Sequence, residues 1–472
     1  MRVKHGSRTF LILLVLVHGI LCFFSSPCCS PSRATTCRVF PASPDTLEEV
    51  PQPRESNAEV PRRLLFHWKG EGVEGYSLQF RHAEFQGALE AVVGSTVPSP
   101  SFRDALEYTG DAYMAPVKLR LYNAAMQWVE SEVPINAVLR AAERCSLIHA
   151  VYSVAATSST GNVSELAQQA MDANAFVDME PGQSNEKASW CVRVRHYGDD
   201  RRHGARSITR EKQALLDLKP LLLTFGGGVD LKGPDCKIYV MDGLIDGAVL
   251  TRRVARGARC SILAPNTRIC VTNTPLEPIA ACSMINLARI TPEMRVLDLY
   301  CGSGTLLLAA SWLAPGCRTY GIEIAHNGLV NRDDIVRDFE TRGLMPPELL
   351  LKGDSTDPEV RALVRGDEPF DAIVTDPPYG IRESNAALLD PLEDIMEGLI
   401  HDRGAGRPLL KVGGRLVCFV PCTDEQNIQE IIPPASRHRQ AGLDFEWMRE
   451  QPLNERLSRW MIVYKCVENG RG

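Results

Sequence analysis

The stretch Val296-Leu297-Asp298-Leu299-Tyr300-Cys301-Gly302-Ser303-Gly304-Thr305, followed by the apolar run 306–313, admits few folds. A short apolar run closed by a glycine turn reads as a buried strand, and the longer apolar run behind it as a helix. The glycines at 302 and 304 let backbone approach a ligand closely, and the helix start leaves unpaired N–H groups beside it. Strand, glycine turn and helix in that order open a doubly wound α/β sheet, provided acid-ended strands follow.

Two such strands follow. Thr319-Tyr320-Gly321-Ile322-Glu323 ends in an acid suited to ribose hydroxyls. Leu349-Leu350-Leu351-Lys352-Gly353-Asp354 ends in a third acid, placed to meet an adenine amino group. The third glycine of a dinucleotide fingerprint is missing, because Leu307 stands at its position. Asp298 at the first strand end suits an amino-acid ammonium better than a pyrophosphate. The expected cofactor is therefore S-adenosylmethionine rather than NAD, held by Asp298, Tyr300, Gly302, Gly304, Glu323 and Asp354.

A fourth apolar run, Phe370–Thr375, is closed by Asp376-Pro377-Pro378-Tyr379-Gly380. Proline cannot continue a strand ladder, so the turn projects a carboxylate and an aromatic ring past the strand's carboxyl end, where open α/β sheets bind ligands. An exocyclic amine on a planar base is a poor nucleophile, since its lone pair is delocalised into the ring. Hydrogen bonds to Asp376 and to the Pro377 carbonyl orient that lone pair, and a Tyr379 ring stacked on the base is worth about 1–3 kcal/mol. Asp376, Pro377, Pro378 and Tyr379 are the expected catalytic turn.

The remaining chain frames this domain, expected over 266–467. Residues 1–44 read as a targeting leader: Arg2, Lys4 and Arg8 precede the apolar run 10–24, and a hydroxyl-rich stretch without acids follows. Residues 45–60 read as an acidic, proline-bearing linker, 61–154 as an α+β domain, and 155–189 as a low-complexity insertion with one helix near Leu166. The fifteen cysteines include four in the leader and no C-x-x-C pairs, which disfavours a disulfide scaffold or a zinc ribbon and points to an intracellular body without a metal site.

Basic residues concentrate in 190–262. Arg193, Arg195, Arg201, Arg202, Arg206 and Arg210 form one cluster, and Arg252, Arg253, Arg256 and Arg259 another. Without the five positive charges of residues 1–44, the net charge of −6 becomes −11, so these clusters stand against an acidic background. Local positive excess is what a phosphate-binding surface requires, and the first cluster is the expected RNA-binding set.

With these residues in place, the sequence resembles the catalytic subunit of the eukaryotic tRNA (guanine-10-N2)-methyltransferases. Leu64-Leu65-Phe66, Phe80-Arg81 with Glu84, and Phe225-Gly226-Gly227-Gly228-Val229-Asp230-Leu231-Lys232-Gly233-Pro234-Asp235 carry the match, the last resembling the end of a THUMP domain. Arg268 with Asn273-Thr274-Pro275-Leu276-Glu277-Pro278, the glycine turn, and Asp376 through Glu383 complete it. Pro275-Leu276 and Tyr300-Cys301 depart from the family's usual Ser-Met and Pro-Phe. The resemblance implies a Rossmann-like class I methyltransferase sheet preceded by an α+β THUMP-type RNA-binding region. It further implies Thr274 beside the cofactor, a tRNA substrate methylated at guanosine N2, and a small zinc-binding activator subunit as partner. It also implies a cytoplasmic location, or a plastid one if the leader is a bipartite signal, without stable membrane association of the mature form. Two other readings stand beside it: a C5-pyrimidine methyltransferase using Cys422 as nucleophile, and a non-catalytic tRNA-binding or assembly factor.

Overall fold

The alternation of short apolar runs with helical spacings resolves into two seven-stranded sheets in the computed structural model, which describes residues 63–69, 76–106, 126–197, 208–272, 274–324, 330–379 and 390–468. The leader 1–44 and linker 45–60 lie outside the described residues.

The first sheet contains β1 (Leu64–Trp68), β2 (Ser101–Asp104), β3 (Met126–Glu130), β4 (Ile148–Ser158), β5 (Trp190–His196), β6 (Cys236–Leu244) and β7 (Gly247–Ala255). Its order is β2-β3-β1-β4-β7-β6-β5, and every pair is antiparallel except β5 with β6. Strand alternation sends Phe66 and Trp68 into one core with α1 (Leu78–Val93) and α2 (Ile135–Arg144). Ile238 and Val240 meet α3 (Val163–Asp172) and α4 (Ile208–Asp217). Leu65, Tyr152 and Met241 form a separate core on the opposite face.

This sheet revises two expected boundaries. A division at 154/155 would cut β4, and one sheet takes strands from both 61–154 and 190–262. The segment 155–189 is also no insertion: Leu166, Ala167, Ala170, Phe176 and Met179 are buried in the core of α3, β5 and β6. Its Ser, Gly and Asn residues supply turns and the Asn162 cap of α3, and a few of its apolar residues, Leu166, Phe176 and Met179 among them, point inward while Val177 is exposed.

The second sheet has the expected architecture. β8 (Arg295–Asp298), β9 (Arg318–Glu323), β10 (Leu349–Lys352), β11 (Phe370–Thr375) and β12 (Leu410–Thr423) run parallel, and β14 (Leu457–Cys466) is antiparallel to both β12 and β13 (Leu443–Pro452). The order is β10-β9-β8-β11-β12-β14-β13. Val296, Ala372, Val374 and Val417 face α5 (Pro278–Leu287), α6 (Thr305–Leu313) and α7 (Arg332–Glu340). Leu297, Ile373 and Cys418 face α8 (Pro358–Arg365), α9 (Pro391–Gly404) and α10 (Ala435–Ala441). Burial on both faces explains why these strands read as unbroken apolar runs. The strand order reverses between β8 and β11, and the carboxyl ends at such a reversal are where open α/β sheets bind ligands.

The two sheets share a core. Tyr76, Phe80, Leu147 and Cys260 pack with the helices of the second sheet, and α1 crosses α5 so closely that a Cβ on Gly87 would lie 2.3 Å from the Asn286 carbonyl oxygen.

Candidate active site

β8 and β11 are hydrogen-bonded neighbours, so their carboxyl ends bring Asp298 and Asp376 to the same edge of the sheet. Asp298 is buried, and its Oδ1 accepts from the Thr375 hydroxyl at 2.7 Å and from the Tyr300 N–H at 3.1 Å. Burial pushes its pKa up to about 7; the two hydrogen bonds oppose that shift, and Asp376 and Glu323 nearby add to it.

The glycine turn folds as expected. Gly302 and Gly304 both take positive φ, +48° and +77°, which side chains resist. Glu323, at the end of β9, accepts from the Gly302 N–H at 2.7 Å, and the Cys301 N–H donates to Ile322. Beneath the turn lies a brace built on Arg268, which the sequence singles out, and on Asp338, which it does not. Arg268 donates to the Ser303 carbonyl, to Thr305 Oγ1 at 2.8 Å and to Asp338 of α7 at 3.0 Å. Asp338 also accepts from the Ile269 and Cys270 N–H groups and from Arg342.

Asp354 follows β10 and is exposed, with Oδ1 taking both the N–H and the hydroxyl of Thr356. Tyr300 is half-buried in the core on the α9 side of the sheet, and Thr274 is exposed. The donor set fits the cofactor: two acids at the ends of the neighbouring strands β8 and β9, beside a glycine turn whose Gly302 N–H Glu323 holds. Asp298 and Glu323 would hold its ammonium and ribose.

At the second motif, Pro377 is buried and Pro378 exposed. The Tyr379 hydroxyl donates to Asp376 Oδ1 at 2.7 Å. Burial raises the pKa of Asp376, opposed by Arg459 and the Tyr379 hydrogen bond. Burial, then the Asp376 charge, raises that of Tyr379 as well. Arg459 of β14 orders the turn: its Nη1 reaches the Tyr379 oxygen at 3.4 Å, its Nε donates to Gln451 at 2.8 Å, and its Nη2 pairs with Glu277 at 2.8 Å. Glu277 in turn accepts from Tyr76 and from Gln451. Glu277 stands in a segment the sequence singles out; Arg459, Gln451 and Tyr76 carried no signal of their own. Asn273 and residues 380–383 lie outside the described residues.

Cys422 does not join this arrangement. Its thiol is buried, bonds the carbonyls of Thr423 and Gln426 in its own turn, and has a pKa raised by burial. An attacking thiolate requires the opposite environment.

The expected RNA-binding arginines fall elsewhere. Trp190, Val192 and Val194 of β5 pack on the helical side, so alternation turns Arg193 and Arg195 to the opposite face. Arg193 donates to the Leu231 carbonyl and Arg195 to that of Val194, while Arg210 of α4 stands 3.6 Å from Asp242. Arg201, Arg202 and Arg206 lie outside the described residues. Among the described residues no group of His, Cys, Asp and Glu could hold a metal ion, and no helix is long and apolar enough to cross a membrane.

Comparison with known proteins bears on the same region. The chain is 27% identical over 292 residues to a tRNA (guanine(10)-N(2))-methyltransferase of Gallus gallus, a match covering 52% of this chain and 61% of that protein. It is 32% identical over 148 residues to a tRNA (guanine(10)-N2)-dimethyltransferase of Methanothermobacter thermautotrophicus, covering 30% of this chain and 39% of that protein. These matches therefore leave more than a third of each relative's length unspanned. Among solved structures, TrmN from Thermus thermophilus overlays 86% of this chain and 99% of its own with a TM-score of 0.42 and 19% identity. Residues 265–334, which carry Asp298, the glycine turn and Glu323, match the family described as RMKL-like, methyltransferase domain.

Proposed function

We propose that this chain transfers a methyl group from S-adenosylmethionine to the exocyclic N2 amine of a guanosine in tRNA, guanosine 10 being the position in its relatives' names. The observation that carries the reading is the placement of Asp298 and Asp376 at the ends of adjacent strands where the sheet order reverses.

S-adenosylmethionine supplies a methyl on a sulfonium whose leaving group is a neutral thioether, so the protein's task is alignment. Asp376 and the Pro377 carbonyl accept the two N–H groups of the base amine and aim its lone pair outward. Tyr379, tethered through its hydroxyl to Asp376, offers a ring face of fixed orientation for stacking. The amine nitrogen forms the new C–N bond in line as the C–S bond breaks, and its surplus proton leaves only as or after that bond forms. No covalent enzyme intermediate is needed, in keeping with the unreactive setting of Cys422. The base leaves its stack to reach the turn.

The reading extends to parts supported by resemblance and composition. Residues 190–262 act as a THUMP-type RNA-binding region using Arg193, Arg195, Arg201, Arg202, Arg206 and Arg210. A small zinc-binding activator subunit is the partner, and the mature chain works in the cytoplasm, or in a plastid if residues 1–44 form a bipartite leader.

The test is incubation of the purified chain with S-adenosylmethionine and a tRNA transcript, followed by mass spectrometry of nucleosides. N2-methylguanosine is expected from the wild type and from Cys422→Ser. With Asp376→Ala, activity should fall at least a hundredfold while calorimetry shows cofactor affinity nearly unchanged. A methyl found on pyrimidine C5, or loss of activity in Cys422→Ser, overturns the reading.

A further inference from the structure

Between the two sheets lies a cleft of about 690 Å³, lined among others by Lys69, His149, Arg256 and Arg259 on one side and by Glu277 and Gln451 on the other. The first four come from the end of β1, the start of β4 and the segment after β7. Gly257 fixes that segment: a Cβ there would stand 2.0 Å from the Ile148 carbonyl oxygen, so the backbone lies flush against the start of β4. Arg256 and Arg259, on either side of that glycine, are exposed.

These cations lack the carboxylate partner that several arginines elsewhere in the chain have. Arg252, Arg268, Arg289, Arg361 and Arg415 each pair with a carboxylate. Among the described residues, no carboxylate pairs with Lys69, Arg253, Arg256 or Arg259. Lys69 donates to the Ala258 carbonyl at 3.5 Å, which keeps its ammonium beside the two arginines. His149 feels the sum: burial lowers its pKa first, and the charges of Arg256, Lys69 and Arg253 lower it further. In a chain of net charge −6, an open cleft with uncompensated positive charge is a site for an anion.

The opposite wall links the cleft to the base-binding turn. Glu277 and Gln451 both bind Arg459, and Arg459 reaches the Tyr379 hydroxyl that donates to Asp376. The cleft thus shares its wall with the hydrogen-bonded chain that fixes the base-binding turn. We infer that this cleft holds the phosphodiester backbone beside the target nucleotide, so that phosphates bound at Lys69, Arg256 and Arg259 set where along the RNA a base enters the turn. This rests on the reading of the chain as an RNA methyltransferase.

The experiment measures binding of a tRNA transcript by fluorescence anisotropy across a salt series, for the wild type, Arg256→Gln/Arg259→Gln and Arg256→Lys/Arg259→Lys. Each phosphate that a cation no longer neutralises should reduce the slope of log affinity against log salt by about 0.7–0.9, so the glutamine pair should lower it by about 1.4–1.8 and weaken binding at least tenfold. The lysine pair keeps the charge and should keep the slope. Cofactor affinity should stay within about twofold in both, as neither residue touches the glycine turn. Should the glutamine pair fail to bind cofactor through misfolding, Lys69→Gln alone should lower the slope by about 0.7–0.9. An unchanged slope in the glutamine pair or in Lys69→Gln, or an equal fall in the lysine pair, overturns the assignment while leaving the methyltransferase reading intact. A wild type that binds cofactor but neither binds nor methylates tRNA overturns both.

Discussion

Asp298 combines burial with a position beside two other acids at the strand ends, and its titration follows from both. Its carboxyl is held at about 7 in the folded chain against 3.8 ordinarily, so between these values the folded state keeps a proton that the unfolded chain has released. Stability from this group is therefore present at low pH and declines as pH rises through that window, by a few kcal/mol in total. A bound ammonium favours the ionised form and reverses the preference. S-adenosylmethionine affinity should rise up to about tenfold per pH unit below 7 and level off above it. Calorimetry in buffers of different ionisation enthalpy should show release of nearly one proton at about pH 6 and little near pH 8. Asp298→Asn should abolish the release, and a wild type that binds cofactor at pH 6 without releasing a proton would show that this carboxyl does not meet the ammonium. Asp298 was legible because it ends an apolar run before two glycines. Arg459 was not: it lies 80 residues beyond Tyr379, and only the antiparallel pairing of β14 with β12 brings it to the turn.

At the scale of elements, the parallel strands were legible because burial on both faces leaves short apolar runs cut off by acids and glycines. The run Phe370–Thr375 is β11 from end to end. The segment 155–189 was misread because its residues favour turns, while a handful of well-spaced apolar side chains suffices to seat one helix on a sheet. The brace under the glycine turn was illegible for another reason: Arg268 and Asp338 are separated by an entire β-α-β unit and meet only after it folds. Both side chains are almost wholly buried, 2% and 0% exposed. Removing one partner of such a pair strands the other charge, at a cost of about 3–5 kcal/mol. Asp338→Ala should lower stability by about that amount in urea denaturation and weaken S-adenosylmethionine binding, because Arg268 also holds Ser303 and Thr305. Unchanged cofactor affinity in a folded Asp338→Ala protein would show that the glycine turn keeps its shape without the brace.

At the scale of the molecule, the cleft and the base-binding turn have a fixed relation only if the two sheets move as one body, and the packing at their junction provides this. Glu84 of α1 is fully buried; it accepts from the Ser146 N–H and hydroxyl, the Leu147 N–H and Asn286 of α5, so one carboxylate ties three segments together. One helical turn along α1, Gly87 sits against the Asn286 backbone. A methyl group there cannot be absorbed by rotating a side chain, since its neighbour is a carbonyl; α1 and α5 must part instead. Gly87→Ala should therefore cost about 1–3 kcal/mol despite the better helix propensity of alanine. Because Tyr76, Phe80 and Leu147 share a core with α5 and α6, the variant should still unfold in one transition, with tryptophan fluorescence and circular dichroism coinciding. Its tRNA affinity should fall more than its cofactor affinity, since the parting helices widen the cleft without touching β8 or β9. A second unfolding transition, in the wild type or in Gly87→Ala, would mean that the sheets are separable bodies and that the cleft does not fix the RNA relative to Asp376.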